Sequence, residues 1–388
     1  MDLFTVIEMT GGLALFLFGM NVMSASLKKV SGSRLEATLQ KMTSNPLKGI
    51  ALGAGITAML QSSSAMTVML VGLVNSGVMK LSQTIPVIMG SNIGKTTTTW
   101  LLSLSGIRSD NVFMNLLKPR YFAPILTMVG VIMSATGKRQ KKRDAGTVLT
   151  GFGVLMLGMV IMSSSMSVLQ DDPAFLRILT VFNNPLLGLL VGMVFTAIIQ
   201  SSAASVGILQ ALSSSIGITY QMAMPIVLGQ NIGTCITSVI AALGVKNKDA
   251  KRVSMVHVLF NVLGAAVFMI LLYGGNAFFS FAFFGQNASP AGIALFHSVF
   301  NIVTTLLFLP FQKALEKLAR AAVKDGTNER ERLDPLLLST PAIALEQATN
   351  VTNEMLDRSI HVLLSSLELV NSFDEEKAEM CLEEENEI

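Results

Sequence analysis

The chain has 388 residues, of which 51% are hydrophobic and only 14% are charged. Soluble domains carry about 25% charged residues, so this composition excludes a set of ordinary soluble domains. The formal net charge of +3 is too small and too dispersed for a nucleic-acid-binding protein, and two cysteines do not make a disulfide framework.

Two long stretches of the chain contain almost no charge. Residues 178–245 include no Asp, Glu, Lys, Arg or His, and residues 49–107 include only Lys80 and Lys95. About 20 apolar residues are enough to cross a bilayer. Each stretch therefore crosses or re-enters the membrane more than once, which predicts an all-α polytopic membrane protein.

The first half begins with a predicted transmembrane helix over about residues 3–27. A re-entrant helical hairpin is predicted next, over about 46–79; two full crossings by residues 45–79 are the alternative and would leave the loops on the same sides. A crossing follows over about 84–105, and its glycines and upstream proline predict that the helix unwinds at 90–95. A returning helix is predicted over about 120–136.

The second half repeats the first at a constant offset of 139 residues. Residues 45–104 align without a gap with residues 184–243, and 21 of the 60 positions are identical. The identities cluster in paired motifs: Asn-Pro-Leu at 45–47 and 184–186, Gln-Ser-Ser at 61–63 and 200–202, and Gly-x-Asn-Ile-Gly at 90–94 and 229–233. Polar and glycine positions match best, which indicates a site used twice rather than a duplicated scaffold.

Lysine and arginine residues fall mainly in the loops of one predicted side, as cytoplasmic loops do. The basic loop at 138–143 leads into the second half from that side, so the halves are predicted to be inverted-topology repeats. The predicted divisions are repeat one over 1–144, repeat two with the final helices over 145–312, and a cytoplasmic helical tail over 313–388. The tail is polar and increasingly acidic, and it is predicted to be incomplete as a packed unit.

The paired polar motifs lie in apolar segments, where polar groups are tolerated only inside protein or at a cavity. Helix N-termini at such a place attract anions, and neutral side-chain and backbone oxygens suit a hard cation. Neither repeat core contains a carboxylate. The residues therefore predict a site for a small oxyanion with a coupled cation.

The doubled motifs after an Asn-Pro-Leu entry resemble the bacterial branch of the sodium/phosphate cotransporter family, over about residues 10–315. The resemblance implies a sodium-coupled phosphate transporter, not an enzyme, with both Gln-Ser-Ser tips near the membrane midplane. The implied phosphate ligands are Gln61, Ser62, Ser63, Ser64, Gln200, Ser201 and Ser202. Four further residues are candidates for the sodium or phosphate shell: Asn92, Thr96, Asn231 and Thr234.

The same resemblance implies a multi-pass protein of the inner (plasma) membrane, with Na⁺ as coupling ion and no other cofactor. Residues 333–334 and 340–346 resemble the start of a PhoU-like helical domain, so the cytoplasmic tail is a candidate site for a regulator. The glycine pairs Gly49/Gly53 and Gly188/Gly192 predict close packing, either within each hairpin or at a homodimer interface.

Two residues depart from the repeat and the family pattern. Ala203 stands where the first motif has Ser64, so the site cannot be symmetric. Lys95 stands where the second half has Thr234 and where the family usually has threonine. Three roles are open for its ammonium group: it occupies the space of a sodium ion, it contacts phosphate directly, or it extends to water.

Competing interpretations have weaker support. The run from Gly90 to Thr96 is one residue short of a P-loop, and neither repeat core holds the histidine that a serine hydrolase needs. His257 and His297, both in His-x-x-Phe-Asn, are predicted to pack or hydrogen-bond between crossings, with a metal or catalytic pair as the alternative. Transport of another oxyanion or a dicarboxylate, and a non-transporting phosphate sensor, remain as alternative functions.

Overall fold

The computed structural model describes residues 3–31, 45–106, 118–167, 183–245, 247–324 and 341–387. Within these ranges every regular element is a helix, apart from one β-bridge between Thr219 and Asn287. Five segments of the described ranges are long and apolar enough to cross a membrane: Phe4–Leu27, Gln140–Ser167, Tyr220–Leu243, Lys248–Phe279 and Pro290–Ala322. The prediction of an all-α polytopic membrane protein is confirmed.

The helices of the first half, α1 to α6, span Leu3–Ser31, Pro46–Leu60, Ser63–Asn75, Leu81–Gly94, Thr96–Ser103 and Pro119–Thr136. Helices α7 to α11 span Gln140–Ser167, Pro185–Ile199, Ser202–Ile216, Tyr220–Gly233 and Ile236–Leu243. Helices α12 to α15 span Lys248–Met269, Gly275–Phe279, Pro290–Phe308 and Gln312–Ala322, and the tail contains α16, Pro341–Asn371, and α17, Glu375–Glu387. The predicted divisions after residues 144 and 312 both lie inside helices, α7 and α15, because they followed charge rather than helix starts.

Local sequence explains why α2 and α3 form a hairpin. The Asn45 side chain accepts a hydrogen bond from the Leu47 N–H, and Pro46 at the first helical position needs no partner for its nitrogen. Gln61 ends α2 in a left-handed conformation, with φ 53°. Ser62 then caps α3 by accepting from the Ala65 N–H at 3.1 Å.

The second hairpin, α8 and α9, repeats this construction at the 139-residue offset. Asn184 caps α8, and Gln200 ends it in the left-handed region with φ 58°. Ser201 caps α9 by accepting from the Ala204 N–H at 3.2 Å. The paired motifs of the sequence therefore produce paired helix ends.

Both hairpins are built from helices that are short for a membrane crossing. Helix α2 and helix α8 have 15 residues each, which corresponds to about 22 Å at 1.5 Å per residue. The hydrocarbon core of a bilayer is about 30 Å thick. This length favours hairpins that enter and leave on the same side.

The glycines of α2 and α8 contact the crossing helix that follows each hairpin. A Cβ atom added at Gly53 would collide with the Val87 carbonyl oxygen of α4, and one at Gly192 with the Ile226 carbonyl of α10. The prediction of packing within each hairpin is therefore wrong: the close contacts are α2 on α4 and α8 on α10. These glycines are buried inside the chain, and a homodimer stays a prediction.

The crossing helices unwind less than the sequence predicts. Helix α4 stays helical through Gly94, and only Lys95 separates it from α5; the second crossing is interrupted only at residues 234–235. A Cβ at Gly90 or Gly94 would collide with backbone carbonyls of α2. These glycines therefore permit close helix packing, whereas the predicted unwinding over 90–95 is wrong.

The first helices of the two halves, α1 and α7, pack directly on each other. Gly12 lies against Gly158, and Gly19 lies against Gly151. Ascending positions on α1 meet descending positions on α7, so the two helices run antiparallel. Because Gly12 and Gly19 occupy the positions of Gly151 and Gly158 in the repeat, this contact has a local twofold character.

The part of the tail that follows α15 consists of α16 and α17 in the described residues. Ala344 near the start of α16 packs against the apolar cluster that includes Leu315, and Lys377 of α17 pairs with Glu368 of α16. Many apolar side chains of α16 are exposed: Leu345, Met355, Leu356, Leu363, Leu364 and Leu367. The likeness to a PhoU-like domain and the regulator site stay predictions.

Candidate functional site: the cavity between the hairpin tips

The two hairpin tips, residues 61–64 and 200–203, meet at one polar cavity. Its volume of about 40 Å³ leaves room for roughly three water molecules. All seven residues predicted to bind phosphate lie on its wall, together with Ala203, Lys95 and Thr98. Residues 139 positions apart in sequence thus line one site.

The backbone at each tip presents a helix N-terminus to this cavity. Helices α3 and α9 begin directly after Ser62 and Ser201, and each serine hydroxyl satisfies one N–H of the first turn. The remaining first-turn N–H groups have no partner within the helix, and the helix dipole adds positive potential there. Two such ends facing one cavity favour an anion.

Lys95 is the one charged residue among the ten that line the cavity. Its side chain is 5% exposed, and its Nζ donates a hydrogen bond of 2.7 Å to Asn92 Oδ1. The ammonium group therefore does not extend to water, which removes one of the three roles left open by the sequence. Its charge further favours an anion in the cavity.

The four candidates for the sodium shell lie behind the cavity rather than on its wall. The amide nitrogens of Asn92 and Asn231 each donate to a carbonyl one turn earlier in their own helix. The hydroxyl groups of Thr96 and Thr234 donate to the Ile93 and Gln230 carbonyls of the preceding helix, at 2.7 and 2.8 Å. The two asparagine Oδ1 atoms and the lone pairs of the two threonine hydroxyl oxygens can still accept hydrogen bonds or coordinate a cation.

The two asparagine Oδ1 atoms have different partners in the two halves. Asn92 Oδ1 accepts from the Lys95 ammonium, whereas Asn231 Oδ1 lies 3.2 Å from His297 Nε2. His297 Nδ1 lies 3.0 Å from Thr99 Oγ1, so this ring on α14 connects both halves. The prediction that the histidines hydrogen-bond between crossings is confirmed.

His257 on α12 takes a related position in the other half. Its Nδ1 lies 3.3 Å from Ser238 Oγ, and Ser238 is the repeat counterpart of Thr99. Its Nε2 is buried without a hydrogen-bond partner in the described part of the chain. The Nδ1 atoms of the two histidines thus lie near hydroxyl groups at equivalent repeat positions. Their Nε2 atoms differ, because that of His297 lies near Asn231 Oδ1 and that of His257 has no partner among the described residues.

Sequence reasoning missed Thr98, which lines the cavity one turn after Lys95. The available signal was its identity with Thr237 at the repeat offset. It also missed buried oxygens with no hydrogen-bond partner among the described residues, such as Thr57 Oγ1 and Gln61 Oε1. No pattern in one sequence shows which oxygens lack a donor.

An all-α polytopic membrane protein in which short helical hairpins enclose a polar, positively charged cavity has the construction of a membrane transporter. The family model described as "Na+/Pi-cotransporter" matches residues 15–164 and 158–286. The chain belongs to the Na+/Pi-cotransporter family. The resemblance inferred from sequence is confirmed, as is the prediction of a transporter rather than an enzyme.

Several curated proteins are similar to this chain. The "Uncharacterized protein YqeW" of Bacillus subtilis is 35% identical over 81% of this chain and 96% of its own length. The "Putative inorganic phosphate export protein YjbB" of Escherichia coli K12 is 23% identical over 90% of this chain, which spans 62% of that protein. The "Sodium-dependent phosphate transport protein 2A" of Rattus norvegicus is 36% identical over 26% of this chain and 17% of its own length. No solved structure matches.

Proposed function

We propose that this chain is a sodium-coupled secondary transporter of inorganic phosphate that works by alternating access. The observation that carries the proposal is the convergence of both hairpin tips on one polar cavity with a single charged side chain, Lys95. Membership of the Na+/Pi-cotransporter family supports phosphate as the substrate. The names of two relatives, one for phosphate export and one for sodium-dependent phosphate transport, support phosphate again.

The chemistry of the cavity fits a small oxyanion. Hydroxyl groups, amide side chains and helix N-termini all donate hydrogen bonds to anionic oxygens. No carboxylate lies on the cavity wall to repel the anion. The small volume disfavours large or apolar substrates.

We assign sodium to neutral oxygens near the interruption of each crossing, where the candidates Asn92, Thr96, Asn231 and Thr234 lie. Two buried oxygens flank the second interruption without a hydrogen-bond partner in the described ranges, Gln230 Oε1 and Thr237 Oγ1. Oxygen ligands suit hard cations. A cation there partly neutralises the nearby phosphate and so couples the two substrates.

Alternating access requires two halves that exchange roles. The antiparallel contact of α1 with α7 at equivalent glycines supports inverted repeats. The short hairpins support re-entrance from opposite sides, and the basic loops support a cytoplasmic C-terminus in a plasma-membrane protein. Direction of net transport then depends on the phosphate and sodium gradients.

The test is uptake of radiolabelled phosphate by purified protein in liposomes, with and without an inward Na⁺ gradient. We expect sodium-dependent uptake that is lost in a Ser62→Ala, Ser201→Ala double variant and kept in Ser164→Ala, an exposed serine of α7. Equal, low flux in all conditions would reject phosphate cotransport.

Competition separates the remaining alternatives. Arsenate is a close analogue of phosphate and should inhibit strongly, whereas a dicarboxylate should not. Inhibition only by a dicarboxylate would contradict the proposed substrate. Phosphate binding without any flux would identify a sensor instead of a transporter.

A further inference from the structure

Lys95 breaks the equivalence of the two halves at the cavity itself. The repeat counterpart of Lys95 is Thr234, whose hydroxyl donates to the Gln230 carbonyl of α10. The first half thus brings an ionisable amine to the cavity, and the second half brings none at the equivalent position. When that amine is protonated, it changes by one charge what the site must bind to become neutral.

The Lys95 amine occupies a position where a bound cation could be coordinated. It is buried and bonds to Asn92 Oδ1 at 2.7 Å, a neutral oxygen of the kind that coordinates sodium. In the second half the matching Asn231 Oδ1 faces His297 Nε2 instead. Buried charge is costly unless it is compensated, and no carboxylate lies on the cavity wall. An anion in the cavity is therefore the natural counter-charge.

We propose that the Lys95 ammonium is a resident cation that takes the place of one coupling sodium ion in the first half. The inference rests on the proposed function, since it concerns how the same cavity neutralises phosphate. Its consequence is that this chain binds phosphate with a lower sodium requirement than a chain with threonine at position 95.

The test is equilibrium binding of radiolabelled phosphate to the purified protein as sodium is replaced by choline. Wild type should retain measurable phosphate binding without sodium. In Lys95→Thr, which copies the second half, binding without sodium should weaken about ten- to a hundredfold, the range for a hydrogen bond to a charged group. The same variant should respond to sodium with a Hill coefficient higher by about one, and high sodium should restore its affinity.

Two variants control for fold and charge. Lys80→Thr makes the same chemical change at an exposed lysine whose repeat counterpart, Thr219, is also threonine. It should behave as wild type. Lys95→Arg keeps the charge and should keep the shallow sodium dependence, and the thermal unfolding midpoint of each variant checks its fold.

Several outcomes would overturn the inference. An unchanged sodium dependence in Lys95→Thr contradicts it. So does an affinity loss that is equal at all sodium concentrations, which would make Lys95 only a phosphate ligand. Lys95→Arg acquiring the steep sodium response would also contradict it. Wild type that binds no phosphate at any sodium concentration would instead reject the proposed function.

Discussion

The two hairpin tips share one backbone and differ in chemistry. Both glutamines end their helices in the left-handed region, with φ 53° at Gln61 and 58° at Gln200, and both following serines cap the next helix. Yet the first half places a lysine at the cavity and the second does not. Residues that are identical in the two halves therefore set the shape of the site, whereas a few residues that differ set its charge.

The largest expected loss of stability tests the helix packing that the two halves share, α2 on α4 and α8 on α10. Gly53→Val and Gly192→Val would each drive a side chain into the backbone of the next crossing helix, which cannot yield as a flexible side chain can. We expect each to destabilise the protein by about 3 kcal/mol or more. Size-exclusion profiles and thermal unfolding in detergent measure the loss. Gly55→Val, which faces open space on the same helix, is the control.

Because the two halves pack in the same way, we expect Gly53→Val and Gly192→Val to lose similar amounts of stability. A Gly192→Val protein as stable as Gly55→Val would contradict the tight packing of α8 on α10 and, with it, the structural equivalence of the halves.

The next effect tests whether each tip is needed. Ser62→Ala and Ser201→Ala should each reduce phosphate uptake at least about tenfold, because each removes a proposed phosphate ligand and a helix cap. The loss of the cap alone costs about 1 kcal/mol of stability. Proteoliposome uptake measures the effect, with Ser164→Ala as control. Full activity in either single variant would show that one tip suffices.

Substitutions of the two histidines test whether His297 contributes more to stability than His257. His297→Phe removes contacts to Thr99 and Asn231, whereas His257→Phe removes one contact to Ser238. We expect losses of about 2 and about 1 kcal/mol respectively. Thermal unfolding midpoints in detergent should therefore fall further for His297→Phe. The reverse order would contradict the connection through His297.

The smallest effect concerns the serine that the repeat does not share. Ser64→Ala should weaken the apparent affinity for phosphate roughly two- to tenfold, as expected for one neutral hydrogen bond. Ala203→Ser adds a hydroxyl at the equivalent place and should not weaken it. The swapped double variant should lie between the two. A loss in Ala203→Ser as large as in Ser64→Ala would show that the two positions are not comparable.

The sequence was sufficient for the fold class, the hairpins and the part of the cavity wall formed by the hairpin tips, because the Gln-Ser-Ser and Asn-Pro motifs are local capping signals. The sequence was misleading for the glycines. Their spacing shows that one face of the helix is flat enough for close packing, but it does not show which helix packs there. Gly49 and Gly53 therefore pointed to the wrong partner, and Gly90 to an unwound helix.

Two further features were not predicted. The Lys95 side chain is buried and donates to Asn92, three residues earlier; a lysine at this spacing can also turn to the cavity or to water, so the sequence left three roles open. The link from Thr99 to His297 joins residues 198 positions apart, and no local pattern indicates it.

The stoichiometry of phosphate binding shows whether the two hairpin tips form a single phosphate site. Equilibrium binding to purified protein at saturating sodium should give one phosphate per chain. Ser62→Ala and Ser201→Ala should each weaken that one site, and the double variant should show non-additive losses. Two phosphates per chain, with each variant losing only one of them, would contradict the account.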